Sequence, residues 1–138
     1  MILAENIFVD TSAWLALADS NDMHHQKAAS SFPVILKNSQ KLYTTNMVLS
    51  EAYTLLREEL GHKAAMTFLI SINTSPRIKV LYSDREIEKE AQELLPKFYD
   101  QPFSYTDAVS FIFMQKLKMK KAFSFDKHFL IAGYILTP

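Results

Sequence analysis

The stretch spanning residues 6–17, NIFVDTSAWLAL, sets the pattern for the whole chain. Residues 7–9 form an apolar, β-branched and aromatic run typical of a buried strand, and residues 13–17 favour a helix. Asp10 stands where this strand turns into the helix. Ligands bind at the carboxyl ends of strands in open α/β sheets, so Asp10 is a candidate site residue. The alternative is that Asp10 or Ser12 only caps the helix.

The composition describes an ordinary globular chain. Its 138 residues predict a single domain, residues 1–138, and a hydrophobic content of 49% argues against disorder. The absence of cysteine excludes disulfides, thiolate zinc sites and cysteine nucleophiles. Because the net charge is zero, any nucleic acid would have to be bound by a local patch of basic residues. Because no signal peptide or membrane-spanning run is evident, we expect a cytoplasmic protein with no membrane partner.

Strand and helix signals alternate along the sequence. Strands are predicted at residues 7–9, 42–44, 78–81, 122–125 and 134–136. Helices are predicted at residues 13–17, 24–40, 45 or 46 to about 60, 62–73, 87–95 and 105–118. This alternation predicts an α/β fold with a central, mainly parallel sheet flanked by helices.

Three local signals predict helix boundaries. Pro33 is expected to break or kink the helix at residues 24–40. Gly61 is a natural helix terminator. Residues 83–86, with the sequence SDRE, match a capping box that opens the next helix.

Glu51 interrupts the apolar face of its predicted helix. A buried carboxylate without a partner is costly, so Glu51 should be paired, protonated or bound to a metal. The alternative is that it lies at the edge of the apolar stripe, or pairs with Arg57 or Lys63.

Two more acids occupy comparable positions. Asp107 stands at the start of the most apolar helix, although Ser104 and Asp107 also match a capping box. Asp126 follows the predicted strand at residues 122–125, as Asp10 follows the first strand. In a parallel α/β fold, all four acids are expected at one edge of the sheet.

Four carboxylates in one place would repel each other unless cations neutralise them. Oxygen ligands suit Mg²⁺ or Mn²⁺ better than zinc or copper. Two such ions can activate a water and stabilise the leaving oxygen in phosphodiester cleavage. The acids therefore indicate metal-dependent nuclease chemistry.

Four motifs carry a resemblance to a known family: VDTSAWLAL, TTNMVLSEAY, SYTDAVSF and AFSFDKHF, in this order and spacing. The chain resembles PIN domains, and particularly the stand-alone VapC-like toxin ribonucleases. The resemblance implies a divalent-metal-dependent endoribonuclease with a central parallel sheet. It assigns catalysis and metal binding to the acids Asp10, Glu51, Asp107 and Asp126.

The same resemblance implies further residues and partners. Ser12, Ser104 and Ser124 would orient carboxylates, metal waters or phosphate, and many relatives have threonine where this chain has Ser124. The resemblance also implies a homodimer and a separately encoded antitoxin protein, with this chain as the toxin.

A basic cluster near the carboxyl end supplies candidate RNA contacts. Lysines at a helix carboxyl end can equally be solvated cations that offset the helix dipole, and a solvated role for the histidine of this region is also open. The possible RNA contacts are Lys120, Lys121, Lys127 and His128.

The leading hypothesis is an endoribonuclease that cuts single-stranded or looped RNA with a metal-held water. A second hypothesis is a catalytically silent PIN-like module that binds RNA or protein. A third is a metal-dependent phosphatase, but Ser12 stands where the second acid of a D-x-D start would be.

Overall fold

A computed structural model describes residues 5–138, so the first four residues of the predicted domain lie outside the described residues. Every neighbouring pair of strands runs parallel, which confirms the predicted α/β class. The strands are β1 (Glu5–Val9), β2 (Ser39–Thr45), β3 (Ile78–Leu81), β4 (Lys121–Phe123) and β5 (Ile135–Thr137).

Helices connect successive strands, as the alternating sequence pattern predicts. A short 3-10 helix, Leu95–Phe98, follows the fifth α-helix. The α-helices are α1 (Thr11–Ala18), α2 (His25–Asn38), α3 (Asn46–Leu60), α4 (His62–Thr74), α5 (Arg85–Leu94), α6 (Tyr105–Lys116) and α7 (His128–Ile131). None of the helices in the described part of the chain has the length and apolar character that a membrane crossing requires.

The strand order β3-β2-β1-β4-β5 places β1 at the centre of the sheet. The chain builds outward from β1 to β3 and then returns to the other side of β1 with β4. This reversal opens a crevice at the carboxyl ends of β1 and β4, where ligands bind in sheets of this kind. The Asp10 N–H donates to the Phe123 carbonyl over 3.1 Å, so β4 contacts the chain one residue beyond β1.

The helix break expected as one of two effects of Pro33 does not occur, because α2 continues through this residue. Proline leaves the carbonyl four residues earlier without its helical donor, and in α2 that residue is the exposed Ala29, whose carbonyl can turn towards water.

The capping box predicted at residues 83–86 does not form. Asp84 caps α5 by accepting the Ile87 N–H over 2.9 Å. Ser83 is used elsewhere, because its N–H donates to Asn46 Oδ1 over 2.9 Å. The helix start is therefore shifted by one residue.

Helix α6 is apolar all round because it packs on two sides. Phe111 and Met114 belong to the main core beneath the sheet. Val109 and Ile112 instead pack against Ile87 of α5 in a second apolar cluster. Eight of the twelve residues of α6 are buried, beginning with Asp107 in its first turn, so the amino-terminal part of this helix lies in the interior.

A buried polar chain ties the first helix to the sheet. The Trp14 indole Nε1 donates to Thr44 Oγ1 over 3.2 Å. The Thr44 hydroxyl in turn donates to the Val9 carbonyl over 3.0 Å. Thr44 is fully buried, and Val9 is the residue before Asp10, so this chain supports the backbone from which the Asp10 side chain projects.

Replacing Thr44 with valine should destabilise the protein by about 1–3 kcal/mol, because the isosteric side chain leaves the Trp14 N–H and the Val9 carbonyl without this partner. Urea unfolding would show a lower midpoint with an unchanged slope. Thr54→Val is the matched control, since the Thr54 hydroxyl is exposed and bonds only the Ser50 carbonyl. Equal stability of both variants would contradict a supporting role for Thr44.

Candidate active site

Asp10 lies at the junction of β1 and α1 with 4% of its surface exposed. Its backbone is extended, and it occupies the position before the first residue of α1. Among the described residues, its side chain makes no capping hydrogen bond to the helix. Asp10 therefore does not cap α1 through the usual side-chain hydrogen bond, and Ser12 lies inside the helix instead of at its cap.

Two serines hold the Asp10 carboxylate. Ser124 Oγ donates to Asp10 Oδ2 over 3.0 Å, and Ser12 Oγ lies 3.4 Å from the same oxygen. The two hydroxyl oxygens are 3.1 Å apart. The backbone N–H groups of Phe125 and Asp126 donate to Ser12 and Ser124. This network fixes the segment after β4 against the start of α1.

Asp107 is held at the amino-terminal end of α6. Ser104 Oγ accepts the Asp107 N–H over 2.9 Å, and Asp107 Oδ2 accepts the Ser104 N–H over 3.0 Å. The predicted capping box therefore forms. Asp107 is nevertheless only 6% exposed and has another partner, His128, whose Nδ1 lies 2.8 Å from Asp107 Oδ2. Asp107 can therefore cap α6 and still contribute its carboxylate to the site.

Asp126 and His128 complete the acidic cluster. The His128 backbone N–H donates to Asp126 Oδ1 over 2.9 Å, and His128 Nδ1 lies 3.2 Å from Asp126 Oδ2. One ligand atom from each of Asp107, Asp126 and His128 lies within 4.8 Å of the others. The sequence suggested His128 as an RNA contact or a solvated residue, with metal binding or proton transfer open to it as to any histidine. The spacing of two residues between Asp126 and His128 is the sequence signal that could have placed His128 beside the acids.

The pKa of the Asp10 carboxyl depends on its burial and on the nearby acids. Burial raises the pKa of the Asp10 carboxyl from its ordinary 3.8 to about 7, with smaller upward contributions from the negative charges of Asp107 and Asp126. The Thr11 backbone N–H and the Ser124 hydroxyl lower that pKa in part. Ionising the site therefore requires a compensating positive charge.

Glu51 lies apart from this cluster. It is partly buried in the second turn of α3 and lines a groove with Asn46 and Thr106, the residue before Asp107. Within residues 5–138, its carboxylate has no hydrogen-bond or ion-pair partner, which excludes the suggested pairing with Arg57 or Lys63 there. The structure brings Glu51 towards the start of α6 but not into contact with the other acids.

Two of the candidate RNA contacts lie at the other edge of the sheet. Lys121 is the first residue of β4, and its Nζ pairs with Glu5 Oε2 at 3.1 Å, at the amino end of β1. Lys120 lines a pocket with Glu5. Lys120 immediately precedes β4 and Lys121 begins it, whereas Asp126 follows it, so strand direction separates both lysines from Asp126. Lys127, which is exposed between Asp126 and His128, is the lysine beside the acids.

An aromatic pair adjoins the acids. The His24 and Phe125 rings stack with centroids 4.5 Å apart and an interplanar angle of 5°. Phe125 directly precedes Asp126 in the chain, so this stacked pair anchors the segment that carries Asp126. The two residues are 101 positions apart in the chain, so no local sequence pattern joins them.

Comparison with known proteins identifies the family. The PIN domain family model matches residues 7–133. The 23S rRNA-specific endonuclease VapC20 of Mycobacterium tuberculosis (strain H37Rv) is 36% identical over 133 residues, which cover 94% of this chain and 95% of that protein. A VapC ribonuclease of Archaeoglobus fulgidus is 30% identical over 123 residues, covering 88% of this chain and 77% of that protein.

Solved structures agree with the sequence comparison. The crystal structure of M. tuberculosis VapC20, described as a sarcin-ricin loop cleaving toxin, has a TM-score of 0.87 and 33% identity, covering 94% of this chain and 96% of that one. VapBC2 from Rickettsia felis, bound to a promoter DNA fragment, has a TM-score of 0.71 at 12% identity, covering 96% and 97%. At 12% identity, this second similarity shows only that the fold is shared. The resemblance inferred from the four sequence motifs is confirmed, and the chain belongs to the PIN domain family.

Proposed function

We propose that this protein is a divalent-metal-dependent endoribonuclease that acts as the toxin of a toxin–antitoxin pair. One observation carries the proposal: Asp10, Asp107 and Asp126 gather where the strand order reverses, at the carboxyl edge of the sheet. Relatives that match most of the chain, at 30% and 36% identity, are named ribonuclease and endonuclease, which supports RNA as the substrate.

The residues present suit a divalent cation. Asp10 is buried with its pKa raised, so its ionised form needs a positive partner. The carboxylates of Asp10, Asp107 and Asp126 would hold Mg²⁺ or Mn²⁺, and Glu51, which the sequence also assigned to the metal, lines the neighbouring groove. A bound cation would supply charge neutralisation and an activated water for phosphodiester cleavage.

The chain's own residues position the reacting groups. Ser124 fixes the Asp10 carboxylate, and the capping box fixes Asp107, so neither acid needs to reorganise when RNA binds. Lys127, exposed beside Asp126, is placed to contact a phosphate of the RNA backbone. Lys120 and Lys121 are not part of this contact, because they lie at the opposite edge of the sheet.

The proposal extends to substrate, partners and location. VapC20 is named as a 23S rRNA-specific endonuclease, so large-subunit rRNA is the first substrate to test. A looped segment of that rRNA would fit the hypothesis from the sequence that the enzyme cuts single-stranded or looped RNA. A toxin requires a small antitoxin protein as its inhibitor. The homodimer and the cytoplasmic location predicted from the sequence belong to the same proposal.

Asp107→Asn should lower divalent-dependent RNA cleavage by about 100-fold or more, because the site loses a charged cation ligand while asparagine can still accept the Ser104 N–H. Cleavage is measured on large-subunit rRNA with Mg²⁺ or Mn²⁺. Asp100→Asn changes an exposed turn residue and should leave the rate unchanged. Undiminished cleavage by Asp107→Asn would overturn this mechanism, and binding of RNA without cleavage by the wild type would favour the silent module.

Without metal, the contribution of Asp10 to protein stability should fall as pH rises from about 4 to about 7. The folded protein holds the Asp10 proton more tightly than the unfolded chain does, so protonation favours folding below pH 3.8 and this contribution is lost through pH 7. The shift of about three pKa units corresponds to at most about 4 kcal/mol.

The variant Asp10→Asn isolates this contribution. In chelator at pH 8 it should be more stable than the wild type, and the difference should vanish near pH 4. Adding Mn²⁺ at pH 8 should stabilise the wild type more than the variant. Urea unfolding at each pH, with Asp100→Asn as control, measures both effects. Parallel pH profiles for wild type and Asp10→Asn would contradict the raised pKa.

A further inference from the structure

The His128 imidazole lies between two acids of the candidate metal site. Its Nδ1 is 2.8 Å from Asp107 Oδ2 and 3.2 Å from Asp126 Oδ2. The position of the ring is fixed from two directions, by the backbone N–H bond to Asp126 Oδ1 and by edge contact with the Phe103 ring, whose centroid lies 5.4 Å away. The side chain is only 18% exposed. A ring nitrogen is thus held in a fixed place among the carboxylates.

We propose that His128 Nδ1 is a direct ligand of the divalent cation, together with Asp107 and Asp126, an inference that rests on the proposed function. The sequence predicted an all-oxygen site. The structure adds a nitrogen, and the site becomes a mixed nitrogen and oxygen site.

The spacing of the three atoms suits coordination. Octahedral ligands at about 2.1 Å from a cation lie about 3 Å from their neighbours. The two Nδ1–carboxylate distances, 2.8 and 3.2 Å, bracket this value. A single N–H would have to be shared between the two carboxylate oxygens, which weakens each hydrogen bond, whereas all three atoms can bind one cation at full strength. Coordination requires neutral imidazole with its proton on Nε2.

A histidine ligand changes the metal preference. Mg²⁺ prefers oxygen ligands, while imidazole suits transition-metal ions. The site should therefore prefer Mn²⁺ to Mg²⁺, and His128 should set that preference. Substituting His128 with asparagine places an amide near the Nδ1 position and restores an all-oxygen set.

The test is pulsed electron paramagnetic resonance of the full chain with one equivalent of Mn²⁺. Wild type should show electron spin-echo modulation from a coordinated ¹⁴N, and His128→Asn should lack it. Mn²⁺ affinity should fall by about tenfold in His128→Asn, while Mg²⁺ affinity measured by competition should change by less than about threefold. His62→Asn, which removes an exposed histidine at the start of α4, should match the wild type in every measurement.

The outcomes separate this inference from the proposed function. Bound Mn²⁺ that shows no ¹⁴N modulation in the wild type, but is lost in Asp107→Asn, would overturn the His128 ligand and leave the carboxylate site standing. Failure of the wild type to bind Mn²⁺ would overturn both proposals. Because the wild-type spectrum decides the ligand by itself, the test holds even if His128→Asn folds poorly.

Discussion

The site depends on a carboxylate that the fold keeps almost out of water. Asp10 ends the central strand, is 4% exposed, and has a pKa raised by its burial and by the neighbouring charges of Asp107 and Asp126. Such a group is stable only when it is protonated or faces a cation. The free energy that the isolated fold loses by ionising Asp10 is regained when a cation binds. This coupling links the stability of the protein to its proposed chemistry.

The surrounding structure keeps Asp10 in place from two sides. Behind the site, Thr44 joins Trp14 to the Val9 carbonyl in the core. In front of the site, Ser124 reaches Asp10 from a segment 114 positions away in the chain. The reversal of strand order at β1 makes both contacts possible, because it places β2 and β4 on opposite sides of the same strand. Rigid support of this kind preorganises a site before its ligand arrives.

Fold alone does not give the function, since one α/β architecture hosts many chemistries. The clustered acids support the proposed cation-dependent chemistry, and the relatives named as ribonuclease and endonuclease support RNA as its proposed substrate. His128 bears on the identity of the cation. A nitrogen lies beside two carboxylates, and the proposed His128 ligand would distinguish this site from the all-oxygen site expected from the acids and shift its metal preference away from Mg²⁺.

The sequence by itself determined the alternating strands and helices, the parallel sheet, the capping of α6 by Ser104, and the family through its four motifs. These features depend on periodicity and on hydrogen bonds between residues close in the chain. The direction of β4 could also have shown that Lys121 and Asp126 lie at opposite edges. Only the tertiary structure decided that His128 meets Asp107, that His24 stacks on Phe125, and that Glu51 stands apart from the other acids. Those contacts depend on how packed helices and loops orient side chains from distant parts of the chain, which no local pattern encodes.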